Sequence, residues 1–293
     1  MFIDYILILI AVLFLGGQFA FQRLYQIKHG TAFKNTLIFN SFLGIFGAIF
    51  SLIIIAIATG NLPRFTPFSA ISAMLMAFCT TTYTLLGFLM MSNSGMTLFT
   101  IFLMMGGMTL PYIYGVVFLE ENCTIFNLIG LFGILAGIIL ANKKSSKRDA
   151  RNIIIGILVF VINGICSIIS KTHQIEAVYA VVSPLEFTFW TSIAKFILCG
   201  AAVPFAKGTI TSNRKSLGSM AVICLGAAVM FAPASALQFA AASNLPATVL
   251  YPIISGGLII ISALAGTIFF KEKISRETLW GIILCFVGTC LFL

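Results

Sequence analysis

Two ionisable side chains fall inside long apolar stretches of this sequence, Glu186 and Lys195. A charge in a hydrocarbon layer is costly unless it is paired or hydrated, so each asks for an explanation. Glu186 has a local one. Ser183 as N-cap, Pro184 at the first helical position and Glu186 three residues after the cap form a capping box at a helix start. Lys195 has none. It stands about 16 Å along the same helix, too deep to reach either interface comfortably. Its chemistry is Coulombic: in a wet pathway it holds a substrate or serves coupling, and otherwise it needs a structural partner. Nine positions separate it from Glu186, about 180° around the helix, so the two do not pair with each other.

Uncharged polar residues recur in the apolar stretches around this lysine. Gln18, Thr80 to Tyr83, Tyr112, Tyr114, Asn163, Gln238 and Tyr251 are the candidates for a shared cavity. We take Gln18, Thr80, Tyr83, Tyr112, Asn163, Lys195, Gln238 and Tyr251 as the substrate-binding set, although each neutral member could instead bond a neighbouring helix. Trp190 fits a cavity wall or a lipid-facing surface. The sequence has no HExxH, no GxSxG and no P-loop, so neither an enzyme nor an ATP-driven pump is expected. Seven scattered cysteines without a CxxC pair suit small apolar fillers better than a metal site or a disulfide framework. No cofactor is expected.

These residues must be positioned by helices that live in lipid. Sixty per cent of the chain is hydrophobic and 9% charged, against about 25% charged in soluble domains. Ten apolar runs approach the length of about 20 residues that a bilayer requires. They cover roughly 2–22, 36–58, 67–91, 94–119, 124–141, 152–170, 183–205, 217–241, 244–270 and 278–293. The fifth and tenth are short, and the two long ones hold Pro111 and Pro252, where kinks would fall. The first run lacks a basic leader and a cleavage site, which reads as a retained span rather than a signal peptide.

The net charge of +9 sits in short turns, which gives no surface for nucleic acid. Arg23, Lys28 and Lys34 follow the first run, and Lys143, Lys144, Lys147, Arg148 and Arg151 the fifth. Lys207, Arg214 and Lys215 follow the seventh, and Lys271, Lys273 and Arg276 the ninth. The other loops hold only Arg64 and Lys171. Basic loops stay in the cytoplasm, so both termini are expected outside.

The sequence also repeats itself. At an offset of 151, Thr97 falls on Thr248, Gly106 on Gly257, Gly115 on Gly266, Glu121 on Glu272, Gly130 on Gly281 and Gly137 on Gly288. Upstream, Gly16 pairs with Gly164, Arg23 with Lys171 and Gln26 with Gln174. Glycines and a glutamate in register are not explained by hydrophobicity. The expected fold is an all-α integral membrane protein of ten transmembrane helices in two inverted five-helix repeats, 1–142 and 152–293, joined by a basic linker at 143–151. Five spans per half place the repeats in opposite orientations, the arrangement of alternating-access carriers. Gly133 and Gly137 form a small-xxx-small pattern suited to helix packing; monomer and homodimer both stay open.

At the repeat ends the sequence resembles the drug/metabolite transporter superfamily, in its ten-helix EamA-type branch. Phe118-Leu119-Glu120-Glu121 precedes Gly130, Gly133 and Gly137, and Phe269-Phe270-Lys271-Glu272-Lys273 precedes Gly281 and Gly288. Ser183-Pro184-Leu185-Glu186 and Gly17-Gln18 also fit the pattern. Where the family often carries an arginine after that glutamate, this chain has Thr191, and the nearest cation is Lys195. The resemblance implies a secondary active transporter in the plasma membrane. It would export a small metabolite such as an amino acid by alternating access, with proton or other ion coupling open. Efflux of drug-like cations and a non-transporting scaffold or lipid-handling role are the alternatives.

Overall fold

In the computed structural model, residues 2–94, 96–141, 150–206, 214–270 and 276–292 are described. They form ten α-helices: α1 (Phe2–His29), α2 (Phe33–Thr59), α3 (Pro67–Ser94), α4 (Met96–Phe118) and α5 (Ile125–Ala141), then α6 (Ala150–Ile175), α7 (Pro184–Ala202), α8 (Arg214–Asn244), α9 (Ala247–Phe270) and α10 (Arg276–Cys290). Eight helices are long and apolar enough to cross a membrane, and α5 holds a shorter apolar stretch, Ile125–Leu140. Large apolar side chains such as Ile57, Phe132, Val222 and Trp280 point outward, as lipid-facing surfaces require. The core beneath them gathers Val12, Met108, Ile134, Leu250 and Tyr251.

Two helices run past the ends that hydropathy suggests. α1 continues to His29 and α6 to Ile175, so Arg23, Lys28 and Lys171 are helical rather than loop residues. An apolar window closes at the first charge, whereas a helix continues until its hydrogen bonding is broken. At α1 that break is Gly30, at φ 78°. Arg151 likewise belongs to the first turn of α6, not to a linker. Lys143, Lys144, Lys147 and Arg148 lie outside the described residues, as do Lys271, Glu272 and Lys273. Pro111 and Pro252 are interior to α4 and α9, as expected, and Pro233 is interior to α8.

Two pairs of corresponding helices, α5 with α10 and α2 with α7, pack against each other and run antiparallel. A Cβ on Gly130 of α5 would stand 2.8 Å from the Gly288 carbonyl oxygen of α10, and one on Gly137 would stand 2.7 Å from that of Gly281. The glycines therefore let the two backbones touch, and they do so reciprocally. Gly133 faces the same helix, so this pattern serves packing within one chain. In α2 and α7, Gly44 lies against Ser192 and Phe196 while Ser41 lies against Gly200, again antiparallel. Other contacts swap between halves: a Cβ on Gly16 would overlap Ile261, and one on Gly164 would overlap Leu110. Leu110 and Ile261 are themselves 151 positions apart. This reciprocity is consistent with an inverted repeat.

Candidate functional site

Between the halves lies a cavity of about 180 Å³, lined from α1–α4 and α6–α9 but not from α5 or α10. Seven of the eight candidate residues line it: Gln18, Thr80, Tyr83, Asn163, Lys195, Gln238 and Tyr251. Tyr112 does not. Its hydroxyl lies 3.0 Å from Cys123 Sγ. Gly107 lines the cavity, and five residues further along α4 the helix has turned by about 140°, which aims Tyr112 elsewhere. Gln22, Asn40 and Ser167 also line the cavity. Gln22 was legible in principle, since it stands one turn after Gln18 on the same face.

Some lining groups are committed to the fold. Asn163 Nδ2 donates to the Leu103 carbonyl at 2.7 Å, and the Tyr251 hydroxyl donates to the Ser167 carbonyl. On α7, the Thr188 and Thr191 hydroxyls donate to the carbonyls of Pro184 and Phe187. Others are uncommitted: among the described residues, the amides of Gln18, Gln22 and Gln238 bond to nothing. Thr188, Thr191 and Lys195 fall at i, i+3 and i+7, so one face of α7 is turned into the cavity. Lys195 is 5% exposed, and its Nζ lies 5.2 Å from the centre of the Phe231 ring. It has no ion pair or hydrogen bond among the described residues. Among the described residues the lining contains no aspartate and no glutamate.

Toward one end, a belt of polar contacts ties the helices together. The Glu186 carboxylate accepts from the Arg64 backbone N–H at 2.9 Å, from the Arg64 guanidinium at 3.2 and 3.3 Å, and from the Ser183 N–H at 2.8 Å. The capping box read from the sequence is present. Trp190 donates from Nε1 to the Arg64 carbonyl at 2.7 Å, so it covers the α2–α3 connection and does not line the cavity. His173 is buried in α6. Its ring stacks on Phe187 at 3.8 Å and its Nε2 lies 2.9 Å from Ser69 Oγ.

Sequence reasoning missed one further arrangement. Lys171 Nζ donates to the carbonyls of Ala242 and Leu245, at 2.8 and 2.6 Å, at the end of α8. Glu121 accepts from the N–H groups of Ala247 and Thr248, at 2.7 and 2.8 Å, at the start of α9. Each charge meets the helix end of opposite partial charge and satisfies backbone groups left over there. Gly115 makes the second contact possible, since a Cβ there would stand 2.5 Å from Glu121 Oε2.

Ten helices, eight of which line an interior cavity that carries several polar groups, define a multi-pass helical membrane protein with a chamber of small-molecule size. Residues 151–293 match the EamA-like transporter family. That match and the ten-helix architecture are consistent with the drug/metabolite transporter superfamily. No curated protein sequence matches it. Among 28 solved chains that match, one crystal structure aligns over 98% of this chain and 96% of its own, with a TM-score of 0.76 and 12% identity. That likeness is one of fold.

Proposed function

We propose that this protein is a secondary active carrier of a small amphipathic metabolite, working by alternating access across the plasma membrane. The observation that carries this reading is the cavity itself, which draws its lining from both halves of the chain. Rocking one half against the other about such a site exposes it to each side in turn. At about 180 Å³ the chamber is smaller than the roughly 300–1,000 Å³ typical of drug-sized ligands, which favours a metabolite over large drugs. A lining without acidic residues also speaks against a cation carrier.

The charge pattern orients the protein with both termini outside and the Arg64–Glu186 belt on the outer face. The belt then supports a conformation sealed toward the exterior, with export as the direction. A C-terminal reporter active only in the cytoplasm should be silent, and a bright signal would reverse the orientation. The carrier reading itself is tested by placing a cysteine at position 18 and alkylating it with a membrane-impermeant reagent. Compared with the parent protein, Gln18→Cys should react from either face of the membrane. Reaction from neither face, or from one face under every condition, rules out alternating access.

A further inference from the structure

Among the described residues the lining holds one full charge, and no ion pair or hydrogen bond answers it. Lys195 is more than nine-tenths buried, its face of α7 is turned into the cavity, and among the described residues its ammonium has no ion pair or hydrogen bond, with the Phe231 ring centre 5.2 Å away. A buried cation normally has an anion or backbone carbonyls beside it. In the same molecule Lys171 shows such an arrangement. At Lys195 the nearby threonine hydroxyls are turned to their own helix backbone. The rest of the chamber divides between the uncommitted amides of Gln18, Gln22 and Gln238 and an aromatic wall that includes Phe19, Phe39 and Phe239.

We infer that Lys195 is the anchor for an anionic headgroup, and that the carried compound is a small organic anion with an apolar or aromatic body. The inference rests on the carrier reading and names the substrate class of that same site. In a low-dielectric chamber an anion gains strongly from one ammonium, whereas an ammonium substrate meets like charge and no carboxylate. The uncommitted amides donate to the remaining oxygens, and the rings cover the body.

The test uses the full-length protein in lipid nanodiscs and three probes of one carbon skeleton: phenylacetate, phenylacetamide and phenethylamine. Phenylacetate should raise the melting temperature, and go on raising it logarithmically as its concentration passes Kd, while the amide and the amine should not. Lys195→Met should weaken phenylacetate binding by about 30-fold or more, and Lys195→Arg should retain it, which separates lost charge from lost folding. The inference is overturned if phenethylamine stabilises as well as phenylacetate, if the phenylacetate shift survives Lys195→Met, or if none of the three binds. Sodium chloride titrated alone separates the inorganic source of the same chemistry. A Lys195-dependent shift from chloride that phenylacetate does not match overturns the organic part. Any of these failures leaves the two-sided accessibility of position 18 unaffected, so the carrier reading is judged separately.

Discussion

Lys171 and Lys195 are both buried, at 4% and 5% exposure, and their surroundings could hardly differ more. Lys171 is gripped by two carbonyls at the end of α8. Lys195 projects from the middle of α7 into a chamber where, among the described residues, no ion pair or hydrogen bond meets it and the centre of the Phe231 ring lies 5.2 Å away. A helix C-terminus carries about half a negative charge and several unpaired carbonyls, so a lysine there completes the structure. A lysine facing a cavity completes nothing until something enters. Burial alone therefore does not mark function; what the charged atom touches does.

The sharpest way to break this contrast is Lys171→Met. Removing the ammonium strands the Ala242 and Leu245 carbonyls, and hydrogen bonds to charged groups contribute roughly 1.5–3 kcal/mol each. Thermal unfolding should show a loss of about 2–4 kcal/mol, and an unchanged melting temperature would dissolve the distinction between the two lysines. Glu121→Ala comes next, at about 1–2 kcal/mol, because it uncovers the first N–H groups of α9. Since Glu121 and Lys171 hold the two sides of one turn, the double variant should depart from additivity by about 0.5 kcal/mol or more. Strict additivity would mean that the two contacts act independently.

At the Arg64–Glu186 belt, Arg64→Ala should cost less, about 0.5–1 kcal/mol, because its side chain is 70% exposed and water screens the pair. A larger loss on denaturant unfolding would show the belt to be a major brace. Lys195→Met should change stability least, staying neutral or gaining slightly, because no partner is left stranded. Transport in proteoliposomes should fall with it while abundance holds. A marked drop in melting temperature would show that Lys195 has a structural partner after all.

What was legible in the sequence follows from the range of the interactions. The capping box at Ser183–Glu186 spans four residues, so its chemistry appears in the order of the letters. Ten apolar runs and the glycines in register reported the helices and the α5–α10 contact, because lipid imposes length and close backbones impose small residues. Gln18, Asn163, Gln238 and Tyr251 stood out because polar groups in apolar helices are rare. The contrary case is Tyr112, polar and in an apolar helix, yet turned away from the chamber by the rotation of α4.

Residue types and spacing determined by themselves that this chain lives in a membrane, how many helices it has, that its halves resemble each other and that Lys195 lies deep. Only the tertiary structure decided which charges are answered. The carbonyls that hold Lys171 are 71 and 74 residues away, Arg64 and Glu186 are 122 apart, and Glu121 reaches 126 residues to Ala247. Hydropathy and periodicity describe what one helix needs from its surroundings. Which atoms meet that need depends on how distant helices pack, and the chamber around Lys195 exists only once eight of them have done so.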